Sequence, residues 1–321
     1  MDTSRLVDRV LEGSVVGSFS RLGHAARSRT SHWTDLSALD LTGRTIAITG
    51  PTSGLGLVTS RSLRTMGAHL VLIARNADKL ASTVSDLRSL AGPGDVHSVV
   101  ADMGDLDAVR GAASSLREFG RIDVLVHNAG ALTKERLVSP QGIEMTIASH
   151  VLGPFLLTAL VRDMVNQRIV TVSSGGMYAA ALPDLVAGRS LEMSPGSYDG
   201  TRQYAIAKRA QVTLNEMWAE KFESPAFYAM HPGWADTPGV QQSLPLFRIV
   251  TKPLLRNAEE GADSIIWLAA EPQLDLLSGS FVGDRVRRPI HRLPMTRRTD
   301  TAANRSALWS WCVERCGVTD L

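Results

Sequence analysis

The chain has 321 residues, of which 44% are hydrophobic and 21% are charged, and these are ordinary values for a globular protein with a sizeable core. The formal net charge of +2 is too small to indicate nucleic acid as a partner. Cys312 and Cys316 are the two cysteines, and no set of cysteines and histidines has the spacing of zinc ligands. We therefore expect no metal site and a reduced, cytoplasmic chain.

The first 30 residues have the pattern of a basic, amphipathic helix. Apolar residues such as Leu6 and Val10 are interspersed with arginines such as Arg5 and Arg9, and no apolar run is long enough to span a membrane. Such a helix either packs on the domain or on a partner subunit, or lies peripherally on an anionic membrane surface. We predict a helical N-terminal extension over residues 1–40.

Seven short apolar runs alternate with helical stretches after this extension. The runs, each interpreted as a buried strand, are residues 45–49, 70–74, 97–101, 122–126, 168–172, 226–230 and 279–283. The alternation predicts an α/β fold: one Rossmann-type, doubly wound parallel sheet of about seven strands with helices on both faces. This domain is predicted over residues 41–285. Residues 286–321 are predicted to be a C-terminal extension that wraps back on the fold, with its arginines mostly solvated.

A glycine-rich turn, Thr49-Gly-Pro-Thr-Ser-Gly-Leu-Gly56, follows the first predicted strand and opens a helix. Glycines there permit a tight turn and a close approach of the backbone to a diphosphate at the helix N-terminus. The spacing differs from G-x-G-x-x-G, but its place in the first βα turn indicates dinucleotide binding. The predicted contacts are Gly50, Ser53, Gly54, Leu55 and Gly56.

The next three strand ends carry further candidate cofactor ligands. Arg75 follows the second strand, where enzymes that prefer NAD usually have an acid, and its guanidinium suits a 2′-phosphate. We therefore predict that NADP(H) is preferred over NAD(H); the alternative is that Arg75 caps the following helix. Asp102 is placed to bind the adenine amino group. Asn128 and Gly130 follow the fourth strand, and the glycine allows a close backbone approach beside the cofactor.

Tyr204 and Lys208 are four residues apart in a predicted helix and therefore share one face. A phenol, with a pKa of about 10, is a poor acid or base near neutrality. A nearby ammonium favours the phenolate and lowers that pKa, which makes proton exchange feasible. The pair alone is common by chance, but beside a dinucleotide fold it indicates a proton-transfer site.

In their order along residues 40–285, these features resemble the short-chain dehydrogenase/reductase superfamily. The motifs that carry the resemblance are Thr49-Gly-Pro-Thr-Ser-Gly-Leu-Gly56, Asp102, Asn128-Ala-Gly130, Ser174, Tyr204-x-x-x-Lys208 and Pro232-Gly-Trp-Ala-Asp-Thr237. Within the superfamily, the longer phrase His231-Pro-Gly-Trp-Ala-Asp-Thr-Pro-Gly-Val240 is similar to the retinol-dehydrogenase-like branch.

The resemblance implies hydride transfer between a nicotinamide and a substrate carbon. Tyr204 would be the general acid/base, Lys208 would tune it and hold the nicotinamide ribose, and Ser174 would orient the substrate oxygen. Ser173 is the alternative for that last role. The residues implied to flank the nicotinamide end are Pro232, Gly233, Ala235 and Thr237.

The chain departs from the family pattern at two places. In the predicted helix over residues 143–165, His150 replaces an asparagine that completes a proton relay in the family. A histidine can still hold a water or pass a proton, although it is also consistent with weakened activity. The stretch between Ser174 and Tyr204 is about twice as long as in short members, and we interpret it as a wall of the substrate site. Tyr198 in this stretch is an alternative phenol. The residue four positions after it is Arg202 and not a lysine, so Tyr204 is preferred.

Residues 238–255 are rich in apolar side chains, and in the family this segment covers the substrate. We therefore predict a lipophilic alcohol or carbonyl substrate of retinoid, steroid or fatty type, although the segment could simply pack as a lid helix. Because cells keep NADPH reduced, carbonyl reduction is the favoured direction. The alternative function is a catalytically weakened, dinucleotide-binding regulator or scaffold. The resemblance also implies a homo-oligomer, unless the C-terminal tail blocks the pairing.

Overall fold

The computed structural model describes residues 3–237, 241 and 245–319, and its centre is one sheet. The strands are β1 (Thr45–Thr49), β2 (His69–Ala74), β3 (Val96–Val100), β4 (Ile122–His127), β5 (Val165–Val172), β6 (Ala226–Met230), β7 (Phe281–Gly283) and β8 (Val286–Arg287). Their spatial order is β3-β2-β1-β4-β5-β6-β7-β8, with all neighbours parallel except the antiparallel pair β7 and β8. The predicted parallel α/β sheet is therefore confirmed. The eighth strand was missed because two residues are too short for any periodic pattern.

Helices cover both faces of the sheet. The α-helices of the described residues are α1 (Thr3–Glu12), α2 (Val15–Phe19), α3 (Arg21–Thr30), α4 (Gly54–Thr65), α5 (Ala77–Ser89), α6 (Leu106–Glu118), α7 (Met145–Ile147), α8 (Gly153–Val161), α9 (Gly200–Lys221), α10 (Pro245–Thr251), α11 (Ala258–Ala270), α12 (Pro294–Arg298) and α13 (Ala302–Cys316). One core lies between the sheet and α6, α8, α9 and α13, and a second lies between the sheet and α4, α5 and α11. Helices on both faces are therefore confirmed.

The strand order reverses between β1 and β4, which are neighbours in the sheet. In open α/β sheets, ligands bind in the crevice that such a reversal opens at the carboxyl ends of the strands. The glycine-rich turn follows β1, and Asn128 follows β4. Both sequence motifs therefore face the same crevice.

The predicted helix over residues 143–165 is interrupted. A π-helical turn, Ala148–Leu152, separates α7 from α8, and β5 already begins at Val165. Pro154 explains the break, because it has no N–H to donate to the carbonyl of His150 one α-turn earlier. Gln211 of α9 donates to that freed carbonyl instead, at 2.7 Å.

The stretch Met145–Met164 is also apolar and long enough to span a membrane by composition. However, 72% of its most apolar window is buried inside the domain, as expected for a core helix. It therefore gives only weak evidence for a membrane span.

Both extensions pack on the α/β domain. At the N-terminus, α1, α2 and α3 contact one another and place Phe19 and Arg27 in buried positions. At the C-terminus, α13 packs Leu308 and Trp309 into the core beside α8 and α9.

The prediction that the C-terminal arginines are mostly solvated is wrong for several of them. Arg285 pairs with Asp263, Arg288 with Asp8, and Arg305 with Asp300. The side chain of Arg288 is only 3% exposed. Asp8 of α1 and Asp263 of α11 are distant in sequence from their arginines, so those two pairs could not be predicted locally, whereas Asp300 is only five residues before Arg305.

Candidate active site

The glycine-rich turn is fixed from the neighbouring strand end by Asn128. The Asn128 amide donates to the carbonyls of Thr49 and Gly50 at 3.0 and 2.9 Å. Gly50 has a φ of +68°, and a Cβ there would lie 2.8 Å from the Ala129 Cα. A Cβ on Gly56 would lie 2.2 Å from the Gly50 carbonyl oxygen. The turn therefore requires glycine at both positions.

The N-terminus of α4 faces the same crevice. Ser53 is its N-cap residue but makes no side-chain capping hydrogen bond, so the first backbone N–H groups of α4 are not capped by that side chain. The Leu55 side chain packs toward Gly261 of α11, which leaves the backbone of the turn to meet a ligand. These are the donors and the helix-dipole field that a diphosphate needs.

Arg75 and Asp102 lie at adjacent strand ends, and both are at least partly exposed. Their side chains are 3.8 Å apart, and Asp102 also accepts a hydrogen bond from the N–H of Gly104 at 2.9 Å. The alternative role of Arg75 as a helix cap does not hold, because Asn76 is the N-cap of α5 and accepts from the N–H of Lys79. The side chain of Arg75 is 73% exposed, so its guanidinium is accessible to an anionic ligand.

The two serines after β5 have different surroundings. Ser173 is buried and donates its hydroxyl proton to the Lys208 carbonyl at 3.0 Å. Ser174 is partly exposed, accepts from the N–H of Gly176 at 3.1 Å, and interacts with the Tyr204 phenol. Ser174 is therefore the serine whose hydroxyl can face a substrate.

Lys208 and Tyr204 lie on one face of α9, as their spacing predicts. The Lys208 ammonium donates to the Val172 carbonyl at 2.8 Å and lies 5.3 Å from the centre of the Tyr204 ring. Burial lowers the pKa of Lys208 to about 7. Burial also raises the pKa of Tyr204, and the interaction with Ser174 only partly opposes that effect. In the protein alone, burial and not the ammonium dominates the acidity of the phenol.

His150 lies in the π-helical turn and is fully buried. Its Nδ1 is 3.0 Å from the Thr146 carbonyl, which can only accept, so Nδ1 carries the proton and Nε2 has a free lone pair. A Cβ on Gly130 would lie 2.4 Å from that Nε2. Burial, and then the charge of Lys208, hold the pKa of His150 well below its usual value. The residue is therefore a neutral hydrogen-bond acceptor, and Gly130 makes room for it.

A cavity of about 30 Å³ lies behind His150, between α8, α9 and the sheet. Three polar atoms of its lining residues have no hydrogen-bond partner in the described part of the chain: Nδ1 of His127, Nε2 of His150 and Oε1 of Gln211. A cavity of this size and polarity is large enough for an ordered water. His127 and Gln211 were not predicted from the sequence, although a histidine directly after the buried run 122–126 was a visible signal.

The loop that follows β6, residues 231–237 and called the β6 loop below, closes another side of the site. Gly233 has a φ of +71°, and the backbone of Trp234 accepts a hydrogen bond from the N–H of Arg256 at 2.7 Å. The N–H of Asp236 donates in turn to the Arg256 carbonyl at 2.9 Å. Pro232, Ala235 and Thr237 are thereby held in one short stretch of fixed backbone.

Two other sequence predictions have less support. The Tyr198 hydroxyl lies 3.0 Å from a carboxylate oxygen of Glu144 and 3.1 Å from the Thr133 hydroxyl. These hydrogen bonds hold the loop before α9 in place, which gives Tyr198 a structural role. Of the apolar segment 238–255, residues 238–240 and 242–244 lie outside the described residues. Ile249 and Val250 are exposed, and Leu255 is buried.

Comparison with known proteins identifies the family. The model for short chain dehydrogenase matches residues 44–181. Dehydrogenase/reductase SDR family member 12 from Bos taurus is 30% identical over 297 residues, which cover 90% of this chain and 91% of that protein. The chain belongs to the short-chain dehydrogenase/reductase family. Retinol dehydrogenase 12 from Homo sapiens is 28% identical over 87% of this chain and 88% of its own length, in keeping with the predicted branch.

A solved structure shares the fold over most of the chain. It is an uncharacterized protein from Mycobacterium Paratuberculosis, with 26% identity, a TM-score of 0.68, and coverage of 89% of this chain and 98% of its own. As a member of the family, this short-chain dehydrogenase/reductase is an oxidoreductase with a nicotinamide dinucleotide cofactor and a small-molecule substrate.

Proposed function

We propose that this short-chain dehydrogenase/reductase uses NADP(H) to interconvert a lipophilic alcohol and its aldehyde or ketone, chiefly as a carbonyl reductase. The observation that carries the proposal is the convergence of Ser174, Tyr204 and Lys208 beside the glycine-rich crevice. A regulator or scaffold without turnover would not need a serine and a tyrosine in contact above a buried lysine. We therefore favour the enzyme over that alternative.

The residues of the crevice fit the cofactor. The diphosphate would meet the N-terminus of α4 and the turn whose glycines leave no room for a Cβ, the adenine would lie near Asp102, and the nicotinamide ribose would lie near Lys208. Pro232, Gly233, Ala235 and Thr237 would flank the nicotinamide. When bound, the cofactor supplies or accepts the hydride.

The protein's own residues handle the proton. Ser174 donates a hydrogen bond to the substrate oxygen and so fixes it beside the phenol. Tyr204 gives its proton to that oxygen during reduction and removes it during oxidation. Lys208, whose pKa is about 7, stabilises the phenolate that forms and can exchange a proton at working pH. The high pKa of the unassisted phenol is the barrier that this charge must offset.

We propose that His150 is the next group on the proton path. Its acceptor Nε2 is buried beside Tyr204 and Lys208, and it borders the polar cavity that it shares with His127 and Gln211. A neutral imidazole there can hold a water that returns a proton to the lysine. The histidine therefore takes over the position of the family's amide without carrying charge itself.

The proposed preference for NADP(H) rests on Arg75. Its exposed guanidinium lies 3.8 Å from Asp102, at the strand end where a ribose 2′-phosphate would lie. NAD(H) lacks that phosphate, and the nearby Asp102 carboxylate could still bind its ribose. We therefore propose a preference for NADP(H) and not an exclusion of NAD(H).

We propose a cytoplasmic location in which the N-terminal extension can lie peripherally on a membrane surface. Exposed apolar residues of the first three helices are Leu6, Val10, Val15, Val16 and Leu22, and exposed arginines are Arg5, Arg9, Arg21 and Arg29. Asp8 and Glu12 both pair with Arg288 near the end of the sheet, so the outer face of the extension is basic. Apolar and basic groups together favour anionic lipid.

Family members are often oligomeric, and a homo-oligomer remains a proposal for this chain. Trp309 of α13 contacts Phe155 of α8 and Trp218 of α9, with ring centroids 5.1 and 4.7 Å apart. Two copies would therefore pair through a surface other than the one that α13 covers.

A screen of lipophilic aldehydes and ketones with NADPH, followed by loss of nicotinamide absorbance, tests the proposed function. Retinal, a steroid ketone and a long-chain aldehyde are suitable first substrates, because the apolar segment 238–255 and the likeness to Retinol dehydrogenase 12 both favour lipophilic compounds. Turnover of at least one supports the proposal. Tight NADPH binding without turnover of any of them, in either direction, would favour the scaffold.

A further inference from the structure

The N-terminal extension presents two buried side chains to the α/β domain. A Cβ on Gly17 would lie 2.3 Å from the Leu11 carbonyl oxygen, and one on Gly23 would lie 1.8 Å from the Gly17 carbonyl oxygen. These two glycines let α1, α2 and α3 pack at close range. The result is a compact unit from which Phe19, 6% exposed, and Arg27, 1% exposed, face inward.

Arg27 forms a buried ion pair with the end of the sheet. Its guanidinium donates to Asp284 at 2.7 Å, and Asp284 also accepts two hydrogen bonds from Arg256 at 2.6 and 2.9 Å. Burial alone would raise the pKa of Asp284, but Arg256 and Arg27 outweigh that effect and hold it at about 2. One carboxylate therefore joins an arginine of the extension to an arginine of the domain.

Arg256 supports the β6 loop from beneath. Its guanidinium lies where a side chain on Gly233 would be, 2.5 Å from the position of a Cβ, and it donates to the Pro232 carbonyl at 3.3 Å. It also donates to the carbonyls of Ser18 and Ser20 at 3.4 and 3.3 Å. The extension and the β6 loop thus share one buried guanidinium.

Phe19 contacts both the β6 loop and the loop after β5 that carries Ser174. Its carbonyl accepts from the N–H of Trp234 at 2.8 Å, and its ring stacks on the Trp234 ring with centroids 6.0 Å apart. On the other side, a Cβ on Gly175 would lie 2.3 Å from the Phe19 ring. Gly175 directly follows Ser174, so one side chain contacts both loops that border the reacting groups.

We propose that the N-terminal extension supports the active site by positioning the β6 loop. Arg27, through Asp284 and Arg256, and Phe19, by direct contact, are positioning residues that hold the β6 loop in the conformation that receives the nicotinamide. This inference rests on the proposed function, which places the nicotinamide at that loop. It gives the extension a role in the reaction that is separate from any contact with lipid.

The test compares full-length variants by calorimetric titration with NADPH and by their thermal midpoints. Arg27→Met removes the charge at similar length, and Arg27→Lys restores it. Phe19→Leu removes the ring but changes the side-chain volume less than a truncation to alanine would. Arg305→Met is the matched control, because Arg305, like Arg27, pairs with three carboxylates but belongs to α13; its partners are Asp300, Glu216 and Glu220.

Arg27→Met and Phe19→Leu should weaken NADPH binding by about tenfold or more, the size expected when a charge-assisted contact that orders a binding loop is lost. Arg27→Lys should recover most of the affinity. Arg305→Met should lower the thermal midpoint but leave the affinity within about twofold.

Equal losses of affinity in all these variants, or no loss in Arg27→Met and Phe19→Leu, would overturn the proposal. If Arg27→Met does not fold, the comparison of Phe19→Leu with Arg305→Met decides. Failure of the unmutated protein to bind either NADPH or NADH is a different result, because it would contradict the proposed function itself.

Discussion

The imidazole of His150 stands edge-on to the phenol ring of Tyr204, with ring centroids 5.4 Å apart and an interplanar angle of 87°. This contact places a neutral acceptor next to the proposed general acid/base, at the position where the resemblance implies an amide. It also explains Gly130, because any side chain at that position would collide with the imidazole. The departure from the family pattern is therefore built into the packing of the site.

Replacing His150 tests its proposed place on the proton path. His150→Leu keeps much of the volume but removes the acceptor, so kcat should fall by about tenfold, the cost of one lost hydrogen bond, with little change in KM. His150→Asn, which restores the family's amide, should retain most of the activity. Steady-state kinetics of carbonyl reduction checks both. Equal kcat in the unmutated and His150→Leu proteins would remove the residue from the path.

The pH dependence gives a second measure of His150. Since burial holds its pKa well below the usual value of 6.5, the imidazole should stay neutral throughout the neutral and weakly acidic range. The profile of kcat against pH should therefore be the same above pH of about 5.5 for the unmutated protein and His150→Asn. A step near pH 6.5 that disappears in His150→Asn would show that the histidine titrates during turnover.

Tyr204→Phe removes the proton that the proposed mechanism transfers to the substrate oxygen. Turnover should fall by about 10²- to 10⁴-fold, the usual contribution of a general acid. NADPH affinity should stay close to that of the unmutated protein, because the ring and its contacts remain. Tyr198→Phe is the control: its hydroxyl bonds to Glu144, so its loss should leave kcat nearly unchanged. Full activity in Tyr204→Phe would reject the assignment of the phenol.

The strands and the crevice motifs were predictable because their signals are local. β1 and β6 were predicted to the residue, since each is one apolar run bounded by a turn. The glycine-rich turn could also be located, because tight turns and close approaches leave glycines in the sequence. The proximity of Tyr204 and Lys208 followed from helical spacing alone.

Other features depend on contacts between distant parts of the chain. Arg27 and Asp284 are separated by 257 positions, so nothing near either residue indicates the ion pair. The acidity of Tyr204 was expected to follow Lys208, whereas burial dominates it, and burial is known only once α9 is packed. The break between α7 and α8 was only partly predictable. Pro154 can be read from the sequence, but the hydrogen bond from Gln211 that compensates for it cannot.

Lys208 makes stability depend on pH in a defined direction. Burial lowers its pKa from 10.5 to about 7, so the cost of burying the ammonium is present in full below pH 7 and disappears as pH rises toward 10.5. Lys208→Met in the cofactor-free protein should therefore raise the thermal midpoint most at pH 6 to 7. The gain in the free energy of unfolding should fall by about 1.4 kcal/mol for each pH unit as the pH rises from 7 toward 10. Loss of the hydrogen bond to the Val172 carbonyl would add an offset that does not change with pH. Parallel curves of thermal midpoint against pH for the two proteins would therefore contradict the lowered pKa of Lys208.

Arg75→Ala should narrow the preference between the two dinucleotides. Loss of a charged contact to the 2′-phosphate should weaken NADPH binding by about tenfold, while NADH binding changes little. Lys79→Ala is the control, because Lys79 is an exposed cation of α5 one turn farther from the crevice. Titration of all three proteins with both cofactors checks this. Equal affinities of the unmutated protein for NADPH and NADH would refute the proposed preference.

Val15→Asp tests the membrane surface proposed for the N-terminal extension. Val15 is exposed at the first position of α2, where an aspartate suits the helix dipole and should not disturb folding. It replaces apolar surface worth about 1 kcal/mol in lipid with a charge that anionic lipid repels. Sedimentation with phosphatidylserine-containing vesicles should therefore fall at least about fivefold. Leu277→Asp, at another exposed apolar residue, should bind like the unmutated protein. If the unmutated protein does not sediment with these vesicles, the extension acts only within the protein.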